Sequence, residues 1–151
     1  MIIWLASYPK SGNTLLRSIL SSYFYSSDGN FKFENLAKIN QFPLKNHFLP
    51  LGIDIENDEK VFKNFITAQN FINKEKDKVR FFKTHSSLCK MHDCNFTDLK
   101  NTLGIIYIVR DPRNVVLSFA HHYDLNIDKA TDTMIDNSRF MNKTDKNSRV
   151  Y

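Results

Sequence analysis

A loop near the start of the chain combines residue types that bind anions. It lies between an apolar run at 2–6, typical of a buried strand, and a run with helical spacing that begins after residue 14. The N–H groups in the first turn of a helix have no intrahelical partner, and that end of the helix dipole is positive. Lys10 adds a full positive charge, and the loop's other potential hydrogen-bonding residues are Ser11, Gly12, Asn13 and Thr14. We therefore expect this loop to hold a phosphate-like group.

The loop, Tyr-Pro-Lys-Ser-Gly-Asn-Thr at 8–14, differs from the common nucleotide P-loop. That motif places its lysine directly after its second glycine, whereas Lys10 precedes the loop's only glycine, Gly12, by two positions. A P-loop-like kinase that uses ATP with magnesium is therefore an alternative that the position of the lysine disfavours.

A second polar group follows another short apolar segment. Residues 79–82 are apolar and β-prone apart from Arg80, and they lead into Lys83-Thr84-His85. In open α/β sheets, ligands bind beyond the carboxyl ends of the strands. A lone histidine is more often structural than functional, but a position directly after a strand, two residues past a lysine, favours a functional role for His85.

The strongest strand of the sequence, at 103–109, ends in a third polar group. Arg110 stands at its carboxyl end, and Asp111-Pro112 is a favourable helix start, with the aspartate as N-cap and the proline at the first helical position. Ser118 lies seven residues past the cap, about two turns into the helix and on the same face. An arginine at a strand end and a hydroxyl from the following helix are suited to clamp a second phosphate.

The other segments complete the predicted organisation. The helix after the loop has an apolar stripe that consists of Leu15, Leu16, Ile19, Leu20 and Tyr23. Residues 26–54 have the composition of a loop, residues 57–75 are typical of one amphipathic helix, and residues 130–135 indicate a further helix. This alternation of strands and helices predicts an α/β fold in a single domain.

Composition limits the function classes. The 151 residues suffice for one domain with a sizeable core, and the net charge of +5 favours polyanionic ligands. The basic residues are scattered, which argues against a nucleic-acid binder. No apolar run is long enough to cross a bilayer and no signal peptide is recognisable, so we expect a cytoplasmic protein. Cys89, His92 and Cys94 lack familiar zinc spacing, so no metal is expected.

Together the three polar groups resemble the sulfotransferases that use 3′-phosphoadenosine 5′-phosphosulfate (PAPS). Segment 8–14 resembles the family's 5′-phosphosulfate loop, and segment 83–85 resembles its Lys-Thr-His segment. Residues 108–119 resemble its 3′-phosphate site, including the eight positions between Arg110 and Ser118. The resemblance implies a P-loop-NTPase-like three-layer fold, α/β with a central parallel sheet flanked by helices and incomplete at its C-terminal side.

The resemblance also implies roles for these residues. Lys10 is expected to neutralise charge on the bridging oxygen as the S–O bond breaks, and Lys83 is expected to stabilise the sulfuryl group during transfer. His85 is the expected base for a hydroxyl or amine of a small-molecule or glycan acceptor. The residues expected to bind PAPS, and the product 3′-phosphoadenosine 5′-phosphate (PAP), are Lys10, Ser11, Gly12, Asn13, Thr14, Arg110 and Ser118.

Two departures from the family pattern bear on activity. Leu15 stands where the family often has tryptophan, and no Arg-Lys-Gly segment of the kind that also binds the 3′-phosphate follows Tyr123. The sequence therefore predicts a partial sulfotransferase domain over 1–151. The alternatives are a catalytically inactive remnant that binds PAP or PAPS, and a half-domain that a partner chain or a missing C-terminal half completes.

Overall fold

Parallel strands and the helices around them form the part of the fold that positions the polar groups. The computed structural model describes residues 1–75, 78–86 and 90–136. Its α-helices and strands, in chain order, are β1 (Ile2–Ser7), α1 (Asn13–Tyr25), α2 (Phe33–Leu36), α3 (Asp58–Lys63), α4 (Phe65–Ile72), β2 (Arg80–Thr84), β3 (Lys90–Met91), β4 (Cys94–Asn95), β5 (Thr102–Ile108), α5 (Pro112–Tyr123) and α6 (Ile127–Ile135). Two short 3-10 helices, Lys45–His47 and Leu49–Leu51, lie between α2 and α3.

β1 is the central strand of the sheet, with β2 on one side and β5 on the other. Both pairings are parallel, and they place Ala6 opposite Thr84 and Ser7 opposite Ile108. The carboxyl ends of the three strands therefore lie at one edge of the sheet, and the segments that follow them meet there. The predicted α/β fold with a central parallel sheet is confirmed, with three strands in the described sheet, while β3 and β4 form a separate antiparallel pair.

An aromatic core covers one face of the sheet. Its rings come from β1 and β2 and from segments outside the sheet, namely Trp4, Phe82, Phe42, Phe48, Phe65 and Phe96. The Phe42 ring is fully buried, with its centroid 5.6 Å from that of Trp4 and 5.7 Å from that of Phe65. The loop-like segment 26–54 is thus tied to the core through two of its four phenylalanines, whereas Phe31 and Phe33 are exposed.

We expect Phe42→Ala to lower the free energy of unfolding by about 3–5 kcal/mol, because the substitution leaves a cavity among rings that cannot fully collapse. Phe33→Ala is the matched control, since the Phe33 ring is 81% exposed, and it should change stability by no more than about 0.5 kcal/mol. Urea titration of both variants measures the difference. Equal losses would contradict the central position of Phe42 in the core.

α1 covers the other face of the sheet, but not through the stripe that the sequence predicts. Its buried residues are Asn13 and Ser21, and the Phe24 ring lies 5.1 Å from that of Phe81 on β2. The rotation of the helix is fixed by the loop, because the Asn13 amide bonds to the β1 backbone. Within the described residues, the predicted apolar stripe is instead largely exposed at Leu15 (67%), Ile19 (57%) and Tyr23 (78%).

The single helix predicted over 57–75 is divided at Asn64 into α3 and α4. Asn64 has φ −108° and ψ 10°, and its side-chain amide donates to the Lys60 carbonyl at 2.8 Å. Asparagine competes in this way with the helical hydrogen bonds of the backbone, so the helix is interrupted there. The predicted stripe nevertheless packs inward, and its buried members are Val61, Phe62, Phe65, Ala68 and Gln69.

The helix predicted to begin after Asp111 is confirmed. The Asp111 carboxylate accepts a hydrogen bond from the Arg113 N–H at 2.9 Å, and Pro112 opens α5. Phe119 on α5 belongs to a second apolar cluster that also includes residues of α6, and Tyr8 from the loop packs against this cluster. The second cluster therefore anchors the start of the loop to α5 and α6.

Candidate functional site

The predicted anion-binding loop bends so that N–H groups converge ahead of α1. Lys10 and Gly12 both have left-handed backbone conformations, with φ of 67° and 107°, and turns of this kind form concave anion-binding nests. The Ser11 N–H donates to the Tyr8 carbonyl at 3.2 Å, so it is used within the loop. By helix geometry, the first N–H groups of α1, at 13–15, have no intrahelical partner and are available to an anion.

The Asn13 side chain ties the loop to the sheet. Its amide nitrogen donates to the Leu5 carbonyl at 2.8 Å and to the Ser7 hydroxyl at 3.1 Å, and the residue is 5% exposed. Of the groups on Asn13, the backbone N–H is therefore the one positioned to bind an anion. Thr14, at the next position, is exposed, so its hydroxyl is accessible to a ligand.

His85 follows β2 but is oriented by β1. Its Nδ1 lies 2.7 Å from the Ser7 carbonyl oxygen and 3.4 Å from the Ser7 hydroxyl. A carbonyl oxygen only accepts, so Nδ1 carries the proton and donates it, which leaves the Nε2 lone pair able to take a proton from another group. Burial, followed by the charge of Lys83, lowers the pKa of His85 to about 4 against the opposing effect of the Ser7 hydrogen bond. The imidazole is therefore neutral at physiological pH.

Two further cations, from different elements, lie close to Lys83, the cation beside this imidazole. Burial, followed by repulsion from Arg17 and Lys10, lowers the pKa of Lys83 on β2 to about 8. Burial also lowers the pKa of the Arg17 guanidinium, whose Nη2 donates to the Leu36 carbonyl at 2.8 Å. Among the described residues, none of these three cations forms an ion pair with a carboxylate. Uncompensated charge of this kind suits a ligand with several negative charges.

Arg17 is a member of the site that the sequence patterns did not indicate. It lies three residues past Thr14 and four past Asn13, one helical turn from the loop. Residues at these spacings share a helix face, and this is the signal by which Arg17 could have been found. Ser7 carries no comparable signal, because the apolar pattern marks it only as the end of a strand.

Arg110 reaches back to the loop from the end of β5. Its Nη1 donates to the Lys10 carbonyl at 3.1 Å. Beside it, a cavity of about 260 Å³ opens between the loop and the start of α5, and its lining includes Tyr8, Ser11, Arg110, Pro112 and Met134. The cavity and the Arg110 contact place the third polar group directly beside the first.

Ser118 is the predicted residue that stays apart from the others. It is partly buried, lies about midway along α5 and does not line the cavity. In the part of the chain that the structure describes, no hydrogen bond joins it to Arg110 or to the loop. The residues that meet at the carboxyl edge of the sheet are Lys10, Ser11, Gly12, Asn13, Thr14, Lys83, His85 and Arg110.

The described residues contain neither a metal-binding cluster nor a membrane-spanning helix. Over 1–75, 78–86 and 90–136, no three His, Cys, Asp or Glu side chains are grouped to hold a metal ion. Cys89, one of the residues considered for zinc, lies outside these ranges. Over the same ranges, no helix is both long and apolar enough to cross a membrane.

The environment of His85 predicts an unusual titration. We expect its imidazole in the full chain to titrate near pH 4, against its ordinary value of 6.5 in the chain unfolded in urea, and NMR of the imidazole protons measures both. Because the unfolded chain binds more protons between these values, the stabilisation that His85 contributes above pH 6.5 should be lost as the pH falls towards 4.

Lys83→Gln provides the control for this titration. Removing the neighbouring charge should raise the pKa of His85, since Lys83 is one of the causes of its depression. A midpoint near 6.5 in the wild-type chain would show that His85 is not buried, and no response to Lys83→Gln would show that it is not close to that ammonium group.

Comparison with known proteins adds one match. The family model described as the sulfotransferase domain matches residues 2–148, a range that contains all three polar groups at 8–14, 83–85 and 110–118. No curated protein and no solved structure gives a significant match to the chain.

Proposed function

Since the chain belongs to the sulfotransferase domain family, we propose that it transfers a sulfuryl group from PAPS to a hydroxyl or amine of an acceptor. The observation that supports PAPS is the convergence of Lys10 and Arg17 on Lys83, beside a neutral His85, with no carboxylate paired to these cations among the described residues. A donor with two phosphate-bearing positions would supply the negative charge that these cations do not receive from carboxylates.

The residues at the carboxyl edge fit PAPS, which when bound supplies the sulfuryl group and leaves as PAP. The N–H groups at 13–15 and the Thr14 hydroxyl would hold the 5′-phosphate. Lys10 would offset the charge that develops on the bridging oxygen as its bond to sulfur breaks. Arg110 would bind the 3′-phosphate beside the cavity, and Ser118 on α5 is the second contact proposed for that group.

His85 and Lys83 would act on the acceptor and on the group in transfer. The Nε2 of His85 would take the proton of the acceptor hydroxyl or amine as its oxygen or nitrogen forms the bond to sulfur. Lys83 would stabilise the negative oxygens of the sulfuryl group in the transition state, when the bond from sulfur to the donor is breaking and the bond from sulfur to the acceptor is forming. In this proposal, His85 and Lys83 position and activate the reacting groups, and the surrounding cations stabilise the charge of an in-line displacement.

Arg110→Ala should discriminate between adenine nucleotides with and without a 3′-phosphate. We expect the affinity for PAP to fall by about 10- to 100-fold, because a charge-assisted hydrogen bond contributes about 1.5–3 kcal/mol. The affinity for AMP, which lacks the 3′-phosphate, should change little. Isothermal titration calorimetry with the two ligands measures both effects.

Arg113→Ala is the matched control for Arg110→Ala. The Arg113 guanidinium is exposed and forms an ion pair with Asp111 at 2.7 Å, so its loss should leave both affinities unchanged. An equal loss of PAP and AMP affinity in Arg110→Ala would place Arg110 at the 5′-phosphate instead. Its hydrogen bond to the Lys10 carbonyl makes that a meaningful alternative.

A half-domain that another segment completes is the second candidate function, and the exposure of β5 favours it. β5 is an edge strand of the described sheet, yet Leu103, Ile105 and Tyr107 are 53%, 42% and 67% exposed. An apolar edge strand is a surface on which a sheet can be extended. On this reading the chain binds PAP or PAPS but needs a further segment for turnover.

One experiment separates these candidates. Calorimetric titration with PAP and with ATP, alongside a sulfate-transfer assay with PAPS and a panel of acceptors, tests donor choice and turnover together. Binding of PAP with turnover supports the proposed transferase, and binding of PAP without turnover supports the half-domain or the inactive remnant. Preference for ATP over PAP would contradict the proposal and support the P-loop-like kinase.

A further inference from the structure

The imidazole of His85 lies beside the last residue of β1. Ala6 pairs with Thr84 in the parallel register, which makes Ser7 and His85, the next residues of the two segments, neighbours at the carboxyl edge. Both oxygens of Ser7 face the imidazole, because Nδ1 lies 2.7 Å from the carbonyl oxygen and 3.4 Å from the hydroxyl oxygen. The shorter contact fixes the tautomer, and the longer contact is a second point that limits rotation of the ring.

The Ser7 hydroxyl is itself held by the loop at 8–14. The Asn13 side-chain amide donates to this hydroxyl at 3.1 Å and to the Leu5 carbonyl at 2.8 Å. Asn13 and Ser7 are 5% and 4% exposed, so solvent competes little for these hydrogen bonds. A continuous series of contacts therefore runs from the first residue of α1, through the Ser7 hydroxyl, to His85.

One polar atom of the Asn13 side chain is left without a partner. Its Oδ1 is buried and accepts no hydrogen bond within the described residues. Turning the amide over would not help, because Oδ1 would then face the Leu5 carbonyl, which is also an acceptor. A buried acceptor without a partner costs free energy. Stability alone therefore does not account for an asparagine at this position, and the groups that its nitrogen holds become its principal contribution.

The backbone of Asn13 belongs to the proposed donor site. Its N–H is one of the groups at 13–15 that have no intrahelical partner and would hold the 5′-phosphate. The same residue would thus contact the donor through its backbone and support the base through its side chain. The series of contacts would set the distance from the phosphate to the imidazole, and a misplacement of about 1 Å can lower a rate by about 10²-fold.

Resting on the proposed function, we propose that Asn13 and the Ser7 hydroxyl are positioning residues for sulfuryl transfer, which hold the imidazole of His85 at a fixed place relative to the bound donor. Asn13 acts through the hydroxyl, and the hydroxyl acts through the ring. Loss of either side chain should therefore let the ring move while the base itself remains in the protein.

Ser7→Ala in the full chain tests this assignment. We expect single-turnover transfer from PAPS to fall by about 10- to 100-fold, while the affinity for PAP measured by calorimetry stays nearly unchanged. NMR of the His85 Nδ1–H proton gives a second measurement that needs no turnover. Its exchange with solvent should become faster by about tenfold or more, because the ring is no longer held at both oxygens of residue 7.

Ser21→Ala is the matched control for Ser7→Ala. Ser21 is a fully buried serine of α1 whose hydroxyl donates to the Ser18 carbonyl at 3.0 Å. Its replacement also removes a buried hydroxyl and a hydrogen bond, but it should change neither transfer nor the Nδ1–H exchange of His85. Urea titration verifies that both variants fold. Wild-type transfer and exchange in Ser7→Ala, or equal changes in Ser21→Ala, would overturn the assignment.

A double-mutant cycle tests whether Asn13 acts through the Ser7 hydroxyl. Asn13→Ala should speed the Nδ1–H exchange of His85 about as much as Ser7→Ala does, and the double variant should exchange little faster than either. Additive effects of the two substitutions would contradict the proposal. Failure of the proposed function is distinguishable, because PAP would then leave the backbone N–H signals at 12–14 of the wild-type chain unshifted, whereas the exchange measurements need neither donor nor turnover.

Discussion

Replacement of His85 by alanine is expected to lower the rate of sulfuryl transfer by about 10²–10⁴-fold while leaving the affinity for PAP unchanged. The reason lies in the orientation of the ring, whose Nδ1–H is bound to the Ser7 carbonyl at 2.7 Å so that Nε2 is the proton acceptor. The donor contacts proposed for the loop and Arg110 do not involve the imidazole. Single-turnover transfer from PAPS, together with calorimetric titration of PAP, measures the two quantities separately.

His121→Ala is the control for this substitution, because His121 is an exposed histidine in the last turn of α5. It should alter neither transfer nor binding. Normal transfer by His85→Ala would exclude the imidazole as the base. A parallel loss of PAP affinity would mean instead that His85 contacts the donor.

Removal of the Lys10 charge is expected to reduce both donor binding and transfer. We expect the affinity for PAP to fall by about tenfold or more, since hydrogen bonds to charged groups contribute about 1.5–3 kcal/mol. The transfer rate should fall by about a further 10²–10³-fold, because the role proposed for Lys10 is to offset the charge that develops on the bridging oxygen. Calorimetry with PAP and single-turnover transfer again provide the measurements.

The choice of substitution at Lys10 matters because its backbone is left-handed, with φ 67°. Lysine and alanine both carry a Cβ and bear the same cost of about 1–2 kcal/mol in this conformation, whereas glycine would also relax the backbone. Lys10→Ala therefore removes the charge at unchanged backbone strain, and Lys10→Arg keeps the charge. If Lys10→Ala binds PAP as the wild-type chain does, the backbone conformation and not the ammonium group is what the loop contributes.

The sequence by itself determined which segments meet at the site. Three strands were recognisable from their apolar runs, and each led into polar residues at or just past its carboxyl end, at Lys10, Lys83 or Arg110. Parallel strands align their carboxyl ends, so the residues after them share an edge without any further information. The start of α5 was likewise predictable from the local sequence, because the Asp111 cap and Pro112 stabilise the first turn of their own helix.

The tertiary structure alone decided how individual side chains are used at that edge. Ser7 orients His85 across 78 positions of sequence, and Arg17 bonds to Leu36 across 19. The same loop turned the predicted apolar stripe of α1 outward, by fixing Asn13 to β1. Periodicity reports only which positions of one element share a face. The neighbour that this face contacts is set by contacts between elements, which no local pattern encodes. The same contacts set the protonation state of a side chain such as His85.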